Sequence, residues 1–161
     1  MSFMNTTRTT EVMKAIKNPS ASNEPQVKCM SPAALAYIGD VLFEMYVRDY
    51  LLHQPQTNID QMHKKAVTYV KASSQALMVR HLSPFLTEEE LAAVRRGRNG
   101  KMGTVPRNAD ATDYRYATGF EALLGWLYYQ NETARLVQVM EKAVQLLDED
   151  RQEENHTHEA I

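Results

Sequence analysis

The chain has a single cysteine and no long apolar run, and these two absences limit the class of protein. Cys29 has no second cysteine with which to form a disulfide, and an unpaired thiol suits a reducing compartment. No segment approaches the eighteen or so consecutive apolar residues that span a bilayer, and residues 1–10 lack the apolar core of a secretory signal. We therefore expect a cytoplasmic protein that does not associate with membranes.

The chain also lacks an excess of positive charge. Its 18 Lys and Arg residues are balanced by 20 Asp and Glu residues, which gives a net charge of -2. A surface that binds phosphate must therefore be local, because bulk charge would not attract nucleic acid. No group of Cys and His residues has the spacing of a zinc site. The absence of such a group favours oxygen ligands for any metal that is present.

No alternating strand pattern or internal repeat is found, and the remaining pattern is helical. Ser31-Pro32 predicts a helix start, since a capping side chain precedes a proline at the first helical position. Thr87 followed by Glu90 predicts a capping box. At 161 residues, one domain with a sizeable core is expected. We predict an all-α fold of five or more helices, spanning about 32–52, 58–80, 88–94, 110–129 and 132–148.

Both ends of the chain differ from this helical body in composition. Residues 1–24 are polar and contain turn signals such as Asn18-Pro19, which predicts a flexible leader. Residues 149–161 are highly charged, which predicts a disordered tail. The folded domain is accordingly expected to span residues 25–148.

Two of the predicted helices each hold one acidic residue inside an otherwise apolar run. Asp40 is the only charged residue within 33–43, and Glu121 is the only one within 117–127. A carboxylate removed from water destabilises the fold by several kcal/mol unless it is paired. A divalent cation shared by both acids would satisfy this requirement. The alternative is an ordinary structural partner for each acid, such as an arginine, a lysine or a helix N-terminus.

Two neighbours of Asp40 carry further information. Glu44 lies four residues before Arg48, a spacing that favours a surface ion pair over a role for Glu44 as a metal ligand. Gly39 inside a helix costs about 1 kcal/mol relative to alanine. We therefore predict that another part of the chain approaches the helix closely at Gly39.

The segment 95–108 is the most polar part of the body. It has three glycines, no acidic residue and five basic residues: Arg95, Arg96, Arg98, Lys101 and Arg107. A basic, glycine-rich loop can bring guanidinium groups and backbone N–H groups to phosphate oxygens. It does not match a P-loop, because the glycine spacing differs and no hydroxyl follows the lysine. A solvated loop without a ligand is the alternative.

Two heptapeptides resemble the ribonuclease III family. Residues 35–41, Leu-Ala-Tyr-Ile-Gly-Asp-Val, are similar to the signature helix of the family, and residues 119–125, Gly-Phe-Glu-Ala-Leu-Leu-Gly, are similar to its later acidic helix. They occur in the order of the family and about eighty residues apart. The resemblance covers roughly residues 28–148. We expect no room for the double-stranded-RNA-binding domain that usually follows, a pattern that resembles the Mini-ribonuclease III branch of the family.

This resemblance implies an endoribonuclease that cuts double-stranded RNA with Mg²⁺, or with Mn²⁺ as a substitute. Asp40 and Glu121 match acidic positions of the family's metal site, so both are the implied catalytic and metal-binding residues. The basic segment would then hold the RNA, and the short branch suggests a precursor of large-subunit (23S) ribosomal RNA. The resemblance further implies a homodimer in which Tyr37 packs into the partner subunit, although packing within its own chain is an alternative.

The chain departs from the family pattern at two positions. Ala36 and Thr118 stand where the family has acidic residues, so the site would have two carboxylates where a fuller member has four. Whether one ion or two would act is left open. These losses also leave two rival functions: a non-catalytic, ribosome-associated RNA-binding protein on the same fold, and an unrelated all-α hydrolase of nucleotides.

Overall fold

The computed structural model of the chain describes Glu11 and residues 27–55, 58–101 and 103–159. Apart from Glu11, the predicted leader, 1–24, lies outside these residues. The described part contains six α-helices and no strand, which confirms the all-α prediction. None of its helices is both long enough and apolar enough to cross a bilayer. The helices are α1 (Pro32–Leu52), α2 (Ile59–Val70), α3 (Ala72–Leu82), α4 (Glu88–Asn99), α5 (Ala111–Tyr129) and α6 (Thr133–Glu159).

The predicted starts of α1 and α4 are confirmed by their caps. The Ser31 hydroxyl accepts a hydrogen bond from the Ala34 N–H at 3.1 Å, and Pro32 follows as the first helical residue. Thr87 and Glu90 form both hydrogen bonds of a capping box. These contacts satisfy N–H groups that would otherwise lack partners at a helix start.

Helix α5 lies at the centre of the fold, because α1, α3 and α4 all pack against it. Its Phe120 ring meets the Phe43 ring of α1 edge to face, with centroids 5.1 Å apart, and both residues are fully buried. Met78 of α3 and Leu136 of α6 complete the same apolar core. Functional side chains on α5 are therefore held from several directions.

Glycines allow α1 and α5 to cross in direct backbone contact. A Cβ atom at Gly39 would overlap the carbonyl oxygen of Glu121, and a Cβ atom at Gly125 would overlap the carbonyl oxygen of Leu35. The prediction of a close approach at Gly39 is confirmed. This crossing places Asp40, the next residue of α1, beside the segment of α5 that carries Glu121.

The predicted helix 58–80 is wrong as a single element, since it forms two helices. Lys71 adopts an extended conformation between α2 and α3, with φ -62° and ψ 151°. The carbonyl of Thr68, near the end of α2, accepts hydrogen bonds from the Ser74 hydroxyl and the Arg151 guanidinium, each at 2.6 Å. These hydrogen bonds stabilise the break between α2 and α3. The sequence gives no signal for it, because no proline or glycine lies there.

The predicted end of the third segment, 88–94, is also wrong, because the helix that forms there, α4, continues to Asn99. Gly97 belongs to a helix contact rather than to a loop: a Cβ atom there would come within 2.6 Å of the Ala122 Cβ on α5. The first part of the predicted basic loop is therefore helical.

The last helix continues past its predicted end near Asp148, so the prediction of a disordered tail is wrong over 149–159. The Asp148 carboxylate accepts hydrogen bonds from the Tyr50 and Tyr69 hydroxyls at 2.9 and 2.8 Å. One turn later, Arg151 reaches Thr68. These polar contacts tie the charged helix to α1 and α2, which charge composition alone does not reveal.

Candidate active site

Asp40 and Glu121 line one pocket of about 250 Å³. Helix α1 provides Asp40, α5 provides Glu121, and the break between α2 and α3 closes a further side. The structure therefore brings together the two lone acids that lie about eighty residues apart in the sequence. The pocket is lined by Asp40, Val70, Ala72, Gln75, Tyr114, Ala117, Thr118 and Glu121.

No basic side chain of the described residues forms an ion pair with either acid, so the arginine and lysine partners of the alternative are not observed. Glu44 does form the predicted surface pair, with its carboxylate 2.7 Å from the Arg48 guanidinium. Asp40 is exposed at the rim of the pocket. Partial burial, followed by the charge of Glu44, raises the pKa of Asp40 above its usual range.

Glu121 is less exposed than Asp40 and is more strongly affected by its surroundings. Burial raises the pKa of Glu121 to about 8, with a smaller contribution from the negative charge of Asp40. The nearby Gln75 side chain partly opposes this rise in pKa. In the absence of a cation, Glu121 therefore holds a proton at neutral pH, whereas a nearby positive charge would favour the carboxylate.

Gln75 is the functional candidate that the sequence analysis missed. Its side chain is only 1% exposed, and neither its Oε1 nor its Nε2 makes a hydrogen bond of normal geometry with the described residues. Sequence reasoning placed it in the interior of a long helix, next to Ala76. The signal that could have found it is a long polar side chain among small and apolar neighbours.

The donor set of the pocket fits a hard divalent cation. Two carboxylates without a basic partner among the described residues, and a buried amide without a normal hydrogen bond, supply the oxygen atoms that Mg²⁺ and Mn²⁺ prefer. Among the described residues, no group of three or more Asp, Glu, His and Cys residues could hold a metal. The acidic part of the site is therefore the pair alone, and its remaining polar groups are neutral.

The two departures from the family pattern lie in different surroundings. The Thr118 hydroxyl is in the pocket and donates a hydrogen bond to the Tyr114 carbonyl at 2.9 Å. Its oxygen can still accept a hydrogen bond from water. Ala36 is buried with Ala122 in the contact between α1 and α5 and does not line the pocket.

The predicted RNA-binding residues lie outside the pocket. Arg95 and Arg96 are exposed in the last turns of α4, and Lys101 and Arg107 are exposed in the segment that follows. Arg98 is partly buried: its guanidinium lies 5.3 Å from the centroid of the Tyr116 ring, and its Nη1 is 3.3 Å from the Tyr116 hydroxyl.

A second cation contacts the same ring, and sequence reasoning missed it. The Arg80 guanidinium lies 4.5 Å from the Tyr116 centroid and 3.5 Å from the Asp113 carboxylate. This contact ties the end of α3 to the first turns of α5.

Tyr37 points away from the folded chain. Its side chain is 82% exposed, and Val41, one turn later on α1, is 57% exposed. The alternative that Tyr37 packs within its own chain is therefore wrong for the described residues. Both side chains lie on the outside of the helix that carries Asp40.

Comparison with known proteins agrees with this architecture. Residues 33–132 match the family model described as the Ribonuclease III domain. Mini-ribonuclease 3 from Clostridium tetani is 41% identical over 133 residues, which cover 82% of this chain and 88% of that protein. Mini-ribonuclease 3 from Gloeobacter violaceus is 48% identical over 103 residues, which cover 64% of this chain and 75% of that protein.

A solved structure is similar as well. The crystal structure of a protein from Fusobacterium nucleatum superposes with a TM-score of 0.67 at 27% identity, over 74% of this chain and 95% of that chain. The matched family model covers both acid-bearing helix segments, around Asp40 and Glu121. The chain therefore belongs to the ribonuclease III family, whose members act on double-stranded RNA, and it is an endoribonuclease of that type.

Proposed function

We propose that the chain cleaves double-stranded RNA in a reaction that depends on Mg²⁺, with Asp40 and Glu121 as its catalytic metal ligands. The observation that carries this proposal is the shared pocket, in which two carboxylates from distant parts of the chain have no basic partner among the described residues. Ribosomal RNA maturation is the proposed task, with the precursor of the large-subunit (23S) RNA as substrate. The similarity to Mini-ribonuclease 3 supports this choice.

The two acids lie at different depths in the pocket and have different proposed roles. Asp40 is exposed at the rim, where it can meet a metal and a backbone phosphate together, and Glu121 lies deeper. When bound, Mg²⁺ supplies a water of lowered pKa and neutralises charge on the leaving oxygen. Glu121 gives up its proton to serve as a ligand, and the Thr118 oxygen accepts a hydrogen bond from water beside it.

The exposed basic residues supply the proposed RNA contacts. Duplex RNA is recognised mainly through its phosphates and 2′-hydroxyls, so no helix needs to enter a groove and read bases. Arg95, Arg96, Lys101 and Arg107 are exposed and available for phosphate contacts. Arg98 contributes less directly, because its guanidinium is already engaged with Tyr116.

A symmetric dimer would let each subunit cut one strand of the duplex. Tyr37 and Val41 form an exposed apolar pair on α1, the helix that carries Asp40. A self-complementary contact through this face would place two pockets on one assembly. Large apolar side chains exposed together on one helix are typical of interaction surfaces.

The test is incubation of the purified chain with labelled duplex RNA, single-stranded RNA of the same sequence and free nucleoside triphosphates, with and without Mg²⁺. We expect discrete cleavage of both strands of the duplex, only when Mg²⁺ is present. Binding of the duplex without cleavage would contradict the proposal and favour a non-catalytic RNA-binding protein. Release of phosphate or pyrophosphate from nucleotides, with the RNA intact, would contradict it in favour of a nucleotide hydrolase.

A further inference from the structure

Gln75 differs from the other buried polar residues of the described chain. The Ser74 hydroxyl donates to the Thr68 carbonyl, and the Glu90 carboxylate accepts hydrogen bonds from Arg135 and from the Thr87 N–H. Among the described residues, Gln75 alone has buried side-chain nitrogen and oxygen atoms that make no hydrogen bond of normal geometry. Burying an amide in this way destabilises the fold. An apolar side chain of the same volume would pack there without that loss.

The position of Gln75 indicates what the amide meets. It lines the same pocket as Asp40 and Glu121 and lies close enough to Glu121 to affect that carboxyl. A carboxamide combines one N–H donor group and one oxygen acceptor in a fixed plane. It can therefore donate to an ionised carboxylate and, with its other end, accept from a water molecule. In the described residues, neither end of the amide makes such a hydrogen bond with normal geometry.

We infer that Gln75 is a positioning residue of the metal site, whose Nε2 donates to the ionised Glu121 and whose Oε1 accepts from water coordinated to the cation. This inference rests on the proposed metal-dependent function. A neutral amide suits the position, because a third acid would add repulsion to a pocket that has no basic partner among the described residues. Gln75 thus supplies a polar contact at a site with only two carboxylates.

The experiment compares Gln75→Met, which keeps a similar volume and loses both polar atoms, with the control Tyr50→Phe. The control removes a partly buried hydroxyl that donates to Asp148, and neither Tyr50 nor Asp148 lines the pocket. Mn²⁺ affinity is measured without RNA, from the electron paramagnetic resonance signal of the free ion. The urea midpoint of unfolding is measured without metal. Gln75→Leu is a second apolar variant in case the Met variant does not fold.

For Gln75→Met we expect Mn²⁺ affinity to fall about tenfold or more, as for other groups that orient metal ligands, with an unchanged or higher urea midpoint. For Tyr50→Phe we expect the reverse, a lower midpoint with unchanged Mn²⁺ affinity. Full Mn²⁺ affinity in the apolar Gln75 variants, while the wild type binds Mn²⁺ through Asp40 and Glu121, would overturn the inference and leave the proposed function standing. Failure of the wild type to bind Mn²⁺ would overturn both.

Discussion

Glu121 shows how the surroundings of a single residue can set both its chemistry and its effect on stability. Its carboxyl is partly buried beside Asp40, and burial is the main reason that its pKa rises to about 8 from the ordinary value of 4.5. The folded chain therefore holds a proton that the unfolded chain releases between these two values. Since the unfolded state binds fewer protons in this range, stability falls as the pH rises from about 4.5 to about 8.

The first prediction concerns this pH dependence in metal-free protein. One unit of pKa corresponds to about 1.4 kcal/mol, so the wild type should lose about 3 kcal/mol of unfolding free energy between pH 5 and pH 8 through Glu121. Glu121→Gln removes the titrating group, so this variant should lose less unfolding free energy over the same pH range. Urea unfolding in the presence of a chelator checks this, with Glu154→Gln on the exposed face of α6 as a control. An equal fall of unfolding free energy with pH in the wild type and in Glu121→Gln would contradict the prediction.

At the scale of residues, sequence reasoning found the charged members of the pocket and missed the neutral one. Asp40 and Glu121 stand out because each is the only charge in an apolar run. Gln75 does not, because an uncharged polar residue inside a helix is common on exposed faces. Its significance depends on burial without a hydrogen bond of normal geometry, which only the three-dimensional packing reveals.

At the scale of elements, the crossing of α1 and α5 determines how close the two acids lie. The backbones touch at Gly39 and Gly125, where no side chain separates them. Any added volume at this contact has to push against backbone atoms, which cannot rotate away as a side chain could.

The second prediction is that Gly39→Ala destabilises the fold by about 1–3 kcal/mol or more, because its Cβ would overlap the Glu121 carbonyl oxygen. Cleavage activity should fall as well, since separating the helices separates the two carboxylates. Chemical unfolding and cleavage rates check both effects. Gly103→Ala is the control: a Cβ there would meet nothing within 4 Å, so stability should be nearly unchanged. Equal stability of the two variants would show that α1 and α5 do not depend on this contact.

Helix starts were predictable from the sequence and some helix ends were not. Ser31 and Thr87 cap through side chains close to them in sequence, so a local pattern suffices. The break at Lys71 and the continuation of α6 past Asp148 depend on partners in other helices. Such contacts between distant segments leave no periodic pattern.

At the scale of the whole molecule, binding of RNA must come from a local surface, since the net charge is -2.

The third prediction is that replacing Arg95 and Arg96 by glutamine flattens the slope of log K against log[salt] by about 0.7 to 0.9 for each phosphate that the variant no longer neutralises. Duplex binding without Mg²⁺ measures this slope. The control is Lys142→Gln, which removes a charge that lies over the Phe85 ring. An unchanged slope in the Arg95 and Arg96 variant would make this segment an ordinary solvated surface.

The fourth prediction concerns assembly. Tyr37→Glu should convert the proposed dimer to a monomer, because it would place a charge in an apolar contact. The helical content of the variant should equal that of the wild type, because the Tyr37 side chain is 82% exposed. Sedimentation velocity and circular dichroism check these outcomes. Ile59→Glu is the control, since Ile59 is similarly exposed on α2. A wild type that sediments as a monomer at all concentrations would contradict the dimer.

The central claim is that Asp40 and Glu121 serve one metal-dependent reaction together. The most direct measurement is a double-mutant cycle on cleavage of duplex RNA at saturating Mg²⁺, with the variants Asp40→Asn, Glu121→Gln and the combination of both. If both acids belong to one site, each single change should lower the rate about 100-fold or more, and the double variant should be little slower than the worse single variant. A fall in the cleavage rate of the double variant equal to the product of the two single falls would contradict the claim. Cleavage that persists in both single variants would also contradict it.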